Sequence, residues 1–172
     1  VANVSHELRT PVTTIKGFIE TLKEGAIDDP KNAERFLNII TKHINRLNLL
    51  IDDLLTLSKL EQKPDEIKTV DENIYSLLRS VAEDYEFKAN EKKITVNIKC
   101  DEKLKANINK HLLEQAIGNL VDNAIKYSDK KSEIELGAEE KDKQLQIYVK
   151  DEGYGISDDH MPRLFERFYR VD

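Results

Sequence analysis

The chain has 172 residues, a 35% charged fraction and a formal charge of −6 at pH 7. That balance argues against a nucleic-acid binder, whose footprint is a basic patch, but leaves room for a local basic pocket. A lone cysteine, Cys100, excludes an intrachain disulfide framework, and no four Cys/His ligands stand at zinc spacing, so a reducing, cytoplasmic setting fits. No signal peptide and no run of about 18 apolar residues is visible. The chain opens inside a helical pattern and closes on an aromatic and basic cluster, as a piece of a longer protein would, and any membrane attachment would come from segments outside it.

The first element is a helix. Val1, Val4, Leu8, Pro11, Ile15, Phe18 and Leu22 recur alternately three and four positions apart. "EGAIDDPKN" (Glu24 to Asn32) breaks it, with Gly25 as a stop, Asp29 as an N-cap and Pro30 at the first helical position. A second helix follows, on Leu37, Ile40, Ile44, Leu47, Ile51, Leu54 and Ser58, with a parallel row of Phe36, His43, Leu50 and Leu57. A stripe three positions wide per heptad suits a four-helix bundle. One hairpin supplies two helices, so a homodimer is expected to complete it. The expected domains are 1–62, a linker over 63–66 that Pro64 punctuates, and 67–172.

The second region has mixed periods. A short strand is expected near Ile67 to Val70, then an amphipathic helix from about Asp71 to Ala89. "KITVNIKC" alternates and reads as a strand. Next come a strand near Ala106 to Ile108, a helix from about Lys110 to Tyr127, and strands near Glu133 to Ala138 and Leu145 to Asp151. The turn "DEGYGIS" and a short helix from about Asp158 close the chain. This is a two-layer α/β arrangement, with no repeats and no low-complexity segment.

"SHELRTP" (Ser5 to Pro11) holds a proline within a helix, which costs about 3 kcal/mol. On the heptad frame His6 falls opposite the apolar seam, and Thr10, four residues on, shares that outer face. The plain reading is a solvated histidine; His43, His111 and His160 read as structural or merely exposed. An imidazole facing water is also open to a separate domain. Glu7 would accept its Nδ1 proton and leave Nε2 as the nucleophile, provided the Glu arm curls back, because adjacent helical residues diverge by about 100°.

The stretch resembles the H-box of the sensor histidine kinases of two-component signalling, and "RLNLLIDDLLTLSKLE" (Arg46 to Glu61) resembles the second helix of their dimerisation and phosphotransfer domain. The resemblance implies that His6 is the phosphoacceptor, that Glu7 activates it, and that Thr10 positions a water when the partner regulator is dephosphorylated. It also accounts for Pro11, as a weakened turn where the helix bends between signalling states.

On "EQAIGNLVDNAIKYS" (Glu114 to Ser128), Asn119, Asn123 and Lys126 lie within roughly 60° of one another on a helical wheel, beside an apolar stripe of Ile117, Leu120 and Ala124. The plain reading is an ordinary amphipathic helix. Amide oxygens also suit Mg²⁺, which keeps waters and phosphates for the rest of its shell. The stretch resembles the N-box of the Bergerat ATP-binding fold, shared by histidine kinases, certain chaperones, gyrase-type topoisomerases and mismatch-repair ATPases. That implies Asn123 on Mg²⁺, Asn119 facing metal and phosphates, Lys126 on phosphate and Tyr127 at the adenosine. "DEGYGIS" resembles the G1 box: Asp151 would accept the adenine amino group, while Gly153 and Gly155 let backbone approach the base. "RLFERFYRVD" resembles the F-box, with Arg170 as a γ-phosphate contact. Read plainly, it is a short helix burying Leu164, Phe165 and Phe168.

The fold implied is α+β: an N-terminal helical hairpin forming a dimeric four-helix bundle, then a two-layer α/β sandwich of the Bergerat type. The function implied is an ATP-dependent protein-histidine kinase core that phosphorylates His6 and passes the phosphoryl group to an aspartate of a response regulator, with a regulator phosphatase activity besides. ATP and Mg²⁺ are the implied cofactors; a second copy and a response-regulator receiver domain are the implied partners, with no nucleic acid. The family's lid and second glycine motif lie beyond the F-box and outside these residues. The alternatives are therefore a phosphotransfer and docking scaffold without kinase activity, or a Bergerat ATPase of another class.

Overall fold

A computed structural model describes residues 2–62, 66–142, 144–166 and 169. The chain divides into one compact unit formed by 1–64 with 157–172, and a second formed by 65–156.

In the first unit, helix α1 (Ala2–Lys23) and helix α2 (Pro30–Gln62) form an antiparallel hairpin. Gly25 takes φ 117°, the left-handed conformation that ends a helix without a Cβ penalty. A single 3₁₀ turn, Ala26–Asp28, follows. Asp29 caps α2 as expected: its Oδ1 accepts from the backbone N–H of Lys31 and Asn32 at 3.0 and 3.4 Å. Phe18 packs on Phe36 with ring centroids 5.2 Å apart, and Arg46 reaches Glu7, so two contacts fix the register of the pair.

Within this hairpin the buried and half-buried positions include Leu8, Pro11, Ile15, Phe18 and Leu22 on α1, and Phe36, Ile40, His43, Leu47, Leu50, Leu54 and Leu57 on α2. A different row stays on water: Val12 and Ile19 on α1, and Leu37, Ile44 and Ile51 on α2, the last three spaced by heptads. The α2 run therefore splits between an inner and an outer seam. His43 fills the inner seam, with an Nδ1 that is buried and finds no hydrogen-bond partner among the described residues. Helix α1 runs unbroken through Pro11, whose ring is fully buried. Burial of that apolar ring offsets part of the missing hydrogen bond.

The tail of the first unit is not helical at Asp158. Turns occupy 158–160 and a 3₁₀ turn spans Met161–Arg163. His160 Nδ1 is hydrogen-bonded to the Tyr169 hydroxyl, and the Arg163 guanidinium lies over the same ring at 4.2 Å. Phe165 is 97% exposed rather than buried. Phe168 and Arg170 lie outside the described residues, as do Val1 and Pro64 with most of the expected linker.

In the second unit, strand β1 (Val70–Asn73) starts three residues later than expected and takes in Asp71 and Glu72. Those residues pair antiparallel with strand β3 (Lys105–Ile108). The helix begins only after Asn73, whose side chain accepts from Ser76 N–H at 2.7 Å, so an N-cap decides where α3 (Ile74–Lys92) starts. Strand β2 (Thr95–Cys100) lies parallel to β4 (Glu133–Lys141), which pairs antiparallel with β5 (Gln144–Lys150). Between β3 and β4 runs helix α4 (Lys110–Tyr127), capped by Asn109. Helices α3 and α4 cover one face of the three-stranded sheet. Its core holds Ile74, Leu77, Leu78 and Val81 from α3, Ile117 and Val121 from α4, and Ile134 and Leu136 from β4. On the other face the Tyr148 ring lies over Gly137, where an added Cβ would come 2.0 Å from Tyr148 Cζ.

Candidate functional site

On α1, His6 is exposed, as its heptad position requires, and its imidazole makes no hydrogen bond among the described residues. Glu7 does not curl back to it. Its carboxylate takes a hydrogen bond at 3.2 Å from Arg46 Nη2, 39 residues away on α2. The expected activating contact is therefore replaced by an interhelical ion pair. Thr10 shares the outer face, and its hydroxyl donates to the His6 carbonyl at 3.2 Å. Thr14 does the same to the Thr10 carbonyl at 3.1 Å. With Pro11 lacking its N–H, the turn around His6 is held partly by side-chain hydroxyls.

The second group is built where the end of α4 meets the turn after β5. Asn119, Asn123 and Lys126 are exposed along one face of α4, as the wheel predicts. The two amides make no hydrogen bond among the described residues. Lys126 Nζ donates to the Tyr127 hydroxyl at 2.9 Å and lies 4.6 Å from that ring's centroid. Tyr127 meets Tyr154 of the turn edge to face at 5.6 Å.

Asp151 organises the turn. Its Oδ1 accepts from Gly153 N–H at 2.8 Å, an Asx turn, and its Oδ2 is left without a partner among the described residues. Gly153 sits so close that an added Cβ would stand 2.7 Å from Asp151 Oδ1 and 2.8 Å from the Tyr127 carbonyl oxygen. Glycine is thus required by close approach of the turn to the last turn of α4. Gly155 takes φ 70° with open space around it, so its glycine serves backbone conformation instead.

Three residues escaped the sequence reading. Leu120, assigned to the apolar stripe, is 51% exposed, whereas Ile117 and Ala124 are buried. It lies on the same side of α4 as Tyr127, as an apolar wall beside the polar face. Glu152 accepts from the N–H of Glu133 at 3.1 Å and ties the turn to the start of β4. Lys92, at the end of α3, donates to the carbonyls of Ile125, Lys126 and Ser128 at 2.8, 2.9 and 3.1 Å. Its signal is in the wheel: Lys92 stands about five helical turns after Ile74 on α3, on the same core-facing line as that fully buried residue.

The donor set fits a magnesium nucleotide. It combines unpaired amides for a hard cation, an ammonium for phosphate, a free carboxylate oxygen for an exocyclic amine, and exposed aromatic and apolar surface for a base. Among the described residues no three His, Cys, Asp or Glu side chains converge as a metal cage. A cation held here would rely on amide and phosphate oxygens.

A histidine-bearing helical hairpin followed by an α/β domain with an amide-lined helix is the arrangement of the histidine kinases, and the two parts of the chain match domains of that class. The His Kinase A (phospho-acceptor) domain matches residues 1–63. The domain described as histidine kinase-, DNA gyrase B-, and HSP90-like ATPase matches residues 108–172. The sensor protein SrrB of Staphylococcus aureus is 30% identical over 172 residues, which is 100% of this chain and 30% of that protein. The chain thus spans about 30% of the length of the curated relatives it matches. Among solved structures, histidine kinase ThkA in complex with the response regulator protein TrrA aligns with a TM-score of 0.79 at 27% identity, over 98% of this chain and 49% of that one. Acinetobacter baumannii histidine kinase AdeS shares the fold, with a TM-score of 0.76 at 24% identity over 90% of this chain and 76% of that one.

Proposed function

We propose that this chain is the phosphotransfer and nucleotide-binding core of a sensor histidine kinase, with His6 as the phosphoacceptor. The observation that carries the reading is the placement of His6 on water, its imidazole without a partner among the described residues, while the seam residues Leu8 and Pro11 beside it are half-buried and buried. A structural histidine would be turned inward like His43.

In this reading Mg-ATP supplies the phosphoryl group. Asn123 ligates the metal, Asn119 faces metal and phosphates, and Lys126 meets phosphate once its ammonium leaves the Tyr127 hydroxyl. Asp151 accepts the adenine amino group on its unpaired oxygen, Gly153 and Gly155 admit the base, and Tyr127 packs at the adenosine. Arg170 contacts the γ-phosphate. His6 Nε2 attacks the γ-phosphorus, the bond from that phosphorus to the β,γ-bridging oxygen breaks, ADP leaves with that electron pair, and Glu7 takes the Nδ1 proton after exchanging Arg46 for the imidazole. The protein contributes positioning and charge neutralisation rather than covalent chemistry of its own.

The phosphoryl group then passes to an aspartate of a response regulator, the kind of partner named in the ThkA complex. Thr10 orients a water that attacks the regulator's phosphoaspartate, breaking the acyl phosphate and releasing inorganic phosphate. The outer row of Val12, Ile19, Leu37, Ile44 and Ile51 packs on a second copy to give a four-helix bundle, as the phospho-acceptor match also suggests. No helix among the described residues is long and apolar enough to cross a membrane. The similarity to a sensor protein supports placing the domain pair on the cytoplasmic side of a membrane-anchored parent.

Incubation with labelled ATP tests the assignment. Acid-labile, base-stable phosphate should appear in the wild type and vanish in His6→Gln, with the hairpin still folded. Label surviving in His6→Gln would refute the acceptor assignment.

A further inference from the structure

We propose that Lys92 is a positioning residue for the nucleotide site, a role that rests on the nucleotide-binding reading above. A helix ends with four backbone carbonyls lacking intrahelical partners and with negative dipole charge. At the end of α4, the Lys92 ammonium donates to three backbone carbonyls, those of Ile125, Lys126 and Ser128. Lysine offers three N–H donors. All three are engaged, by carbonyls of a different element some 33 to 36 residues away.

The place matters more than the number of bonds. Between those carbonyls lies that of Tyr127, the atom against which Gly153 is seated. The last turn of α4 carries Lys126 and Tyr127, and the facing turn carries Asp151 and Tyr154. The height of the α4 terminus over that turn therefore sets the spacing between the ammonium, the two rings and the carboxylate. Lys92 anchors the terminus to the end of α3 and, through its own carbonyl, accepts from Lys131 N–H at 3.1 Å just past α4. Lys92 itself has no free proton to offer a ligand. It acts through Lys126, Tyr127 and Gly153.

The test compares the wild type with Lys92→Met, Lys92→Arg and a core control, Val81→Ala, whose side chain is buried in the same unit about three turns of α3 before Lys92. Mg-AMPPNP affinity is measured by calorimetry at a temperature where all four are fully folded. Lys92→Met should bind about tenfold more weakly, the scale expected for losing hydrogen bonds to a charged group. Lys92→Arg should recover most of that loss, and Val81→Ala should bind like the wild type despite its lower melting temperature. Equal affinity of Lys92→Met and wild type would overturn the proposal. Amide hydrogen exchange without nucleotide supplies a second readout: Lys92→Met should speed exchange at Ser128 and Gly153 relative to Val81→Ala, and unchanged protection would also overturn it. A wild type that binds no nucleotide would instead remove the nucleotide reading, while the exchange comparison would still decide whether Lys92 holds the α4 terminus.

Discussion

At the scale of single residues, the Glu7–Arg46 pair and Gly153 carry the sharpest consequences. The pair is partly exposed, with side chains 24% and 47% accessible, so it contributes little to stability, under about 1 kcal/mol. Its effect is on availability. While Arg46 holds the carboxylate, Glu7 is turned away from His6. Arg46→Ala should leave the melting temperature nearly unchanged and raise the rate of His6 phosphorylation by up to about fivefold, measured as initial incorporation of label. A rate that falls would show Arg46 supporting the reaction rather than competing with it. Gly153→Ala forces a methyl group against a carboxylate oxygen and a backbone carbonyl, neither of which can swing away freely. The expected result is a loss of about 1–3 kcal/mol in denaturant unfolding, with weakened nucleotide binding. Gly155→Ala, with open space but φ 70°, should cost only about 1–2 kcal/mol.

At the scale of elements, the hairpin and the sheet each show how a pattern divides its labour. Helix α2 has more apolar positions than α1 can cover. Phe36, Ile40, Leu47 and Leu54 turn inward, and Leu37, Ile44 and Ile51 remain outside at heptad spacing. Ile44→Glu should therefore convert the proposed dimer to monomer in sedimentation at micromolar concentration, while the helical circular dichroism of the hairpin is largely retained. In the sheet, Gly137 is opposite Tyr148 in the β4–β5 register, and the phenol donates to Glu135 Oε1 at 2.9 Å. That hydrogen bond to Glu135, first among the causes, raises the Tyr148 pKa above the ordinary value of 10.0. The folded state thus favours the neutral phenol. Its contribution is fully present below the ordinary tyrosine range and is lost as pH rises through the folded value. Glu135→Gln should bring the tyrosinate absorbance of Tyr148 to lower pH, and alkaline unfolding with it.

At the scale of the whole molecule, the two chemical groups belong to different compact units. His6, Glu7 and Thr10 are in the unit that contains the hairpin, and Asn119 through Gly155 are in the unit that contains the sheet. Each unit has its own packing, so defects should separate. Asn123→Asp should weaken Mg-nucleotide binding about tenfold or more and leave dimerisation intact, because it alters the hard-ligand face of α4 alone. His6→Gln should do the reverse, abolishing phosphate incorporation with nucleotide affinity unchanged. If either substitution disturbed both properties, the two-unit assignment of the chemistry would fail.

Much of this was legible in the chain itself, because its signals are local. Heptad spacing marked both helices of the hairpin and put His6 on the outer face; Asp29, Pro30 and Gly25 marked the connection; a wheel grouped Asn119, Asn123 and Lys126. Such features depend on backbone geometry a few residues long. What the chain did not reveal were choices among distant partners. Asp71 and Glu72 became strand because Lys105–Ile108 was there to pair with them, and the helix waited for the Asn73 cap. Leu120 stayed exposed because α3 and the sheet cover only the opposite side of α4. Glu7 turned to Arg46, and Lys92 to the α4 carbonyls, across more than 30 residues of chain. Local periodicity determines which face a side chain is on; only the packed structure decides which of several polar groups it meets there, since long polar arms reach any partner that folding brings within hydrogen-bond distance.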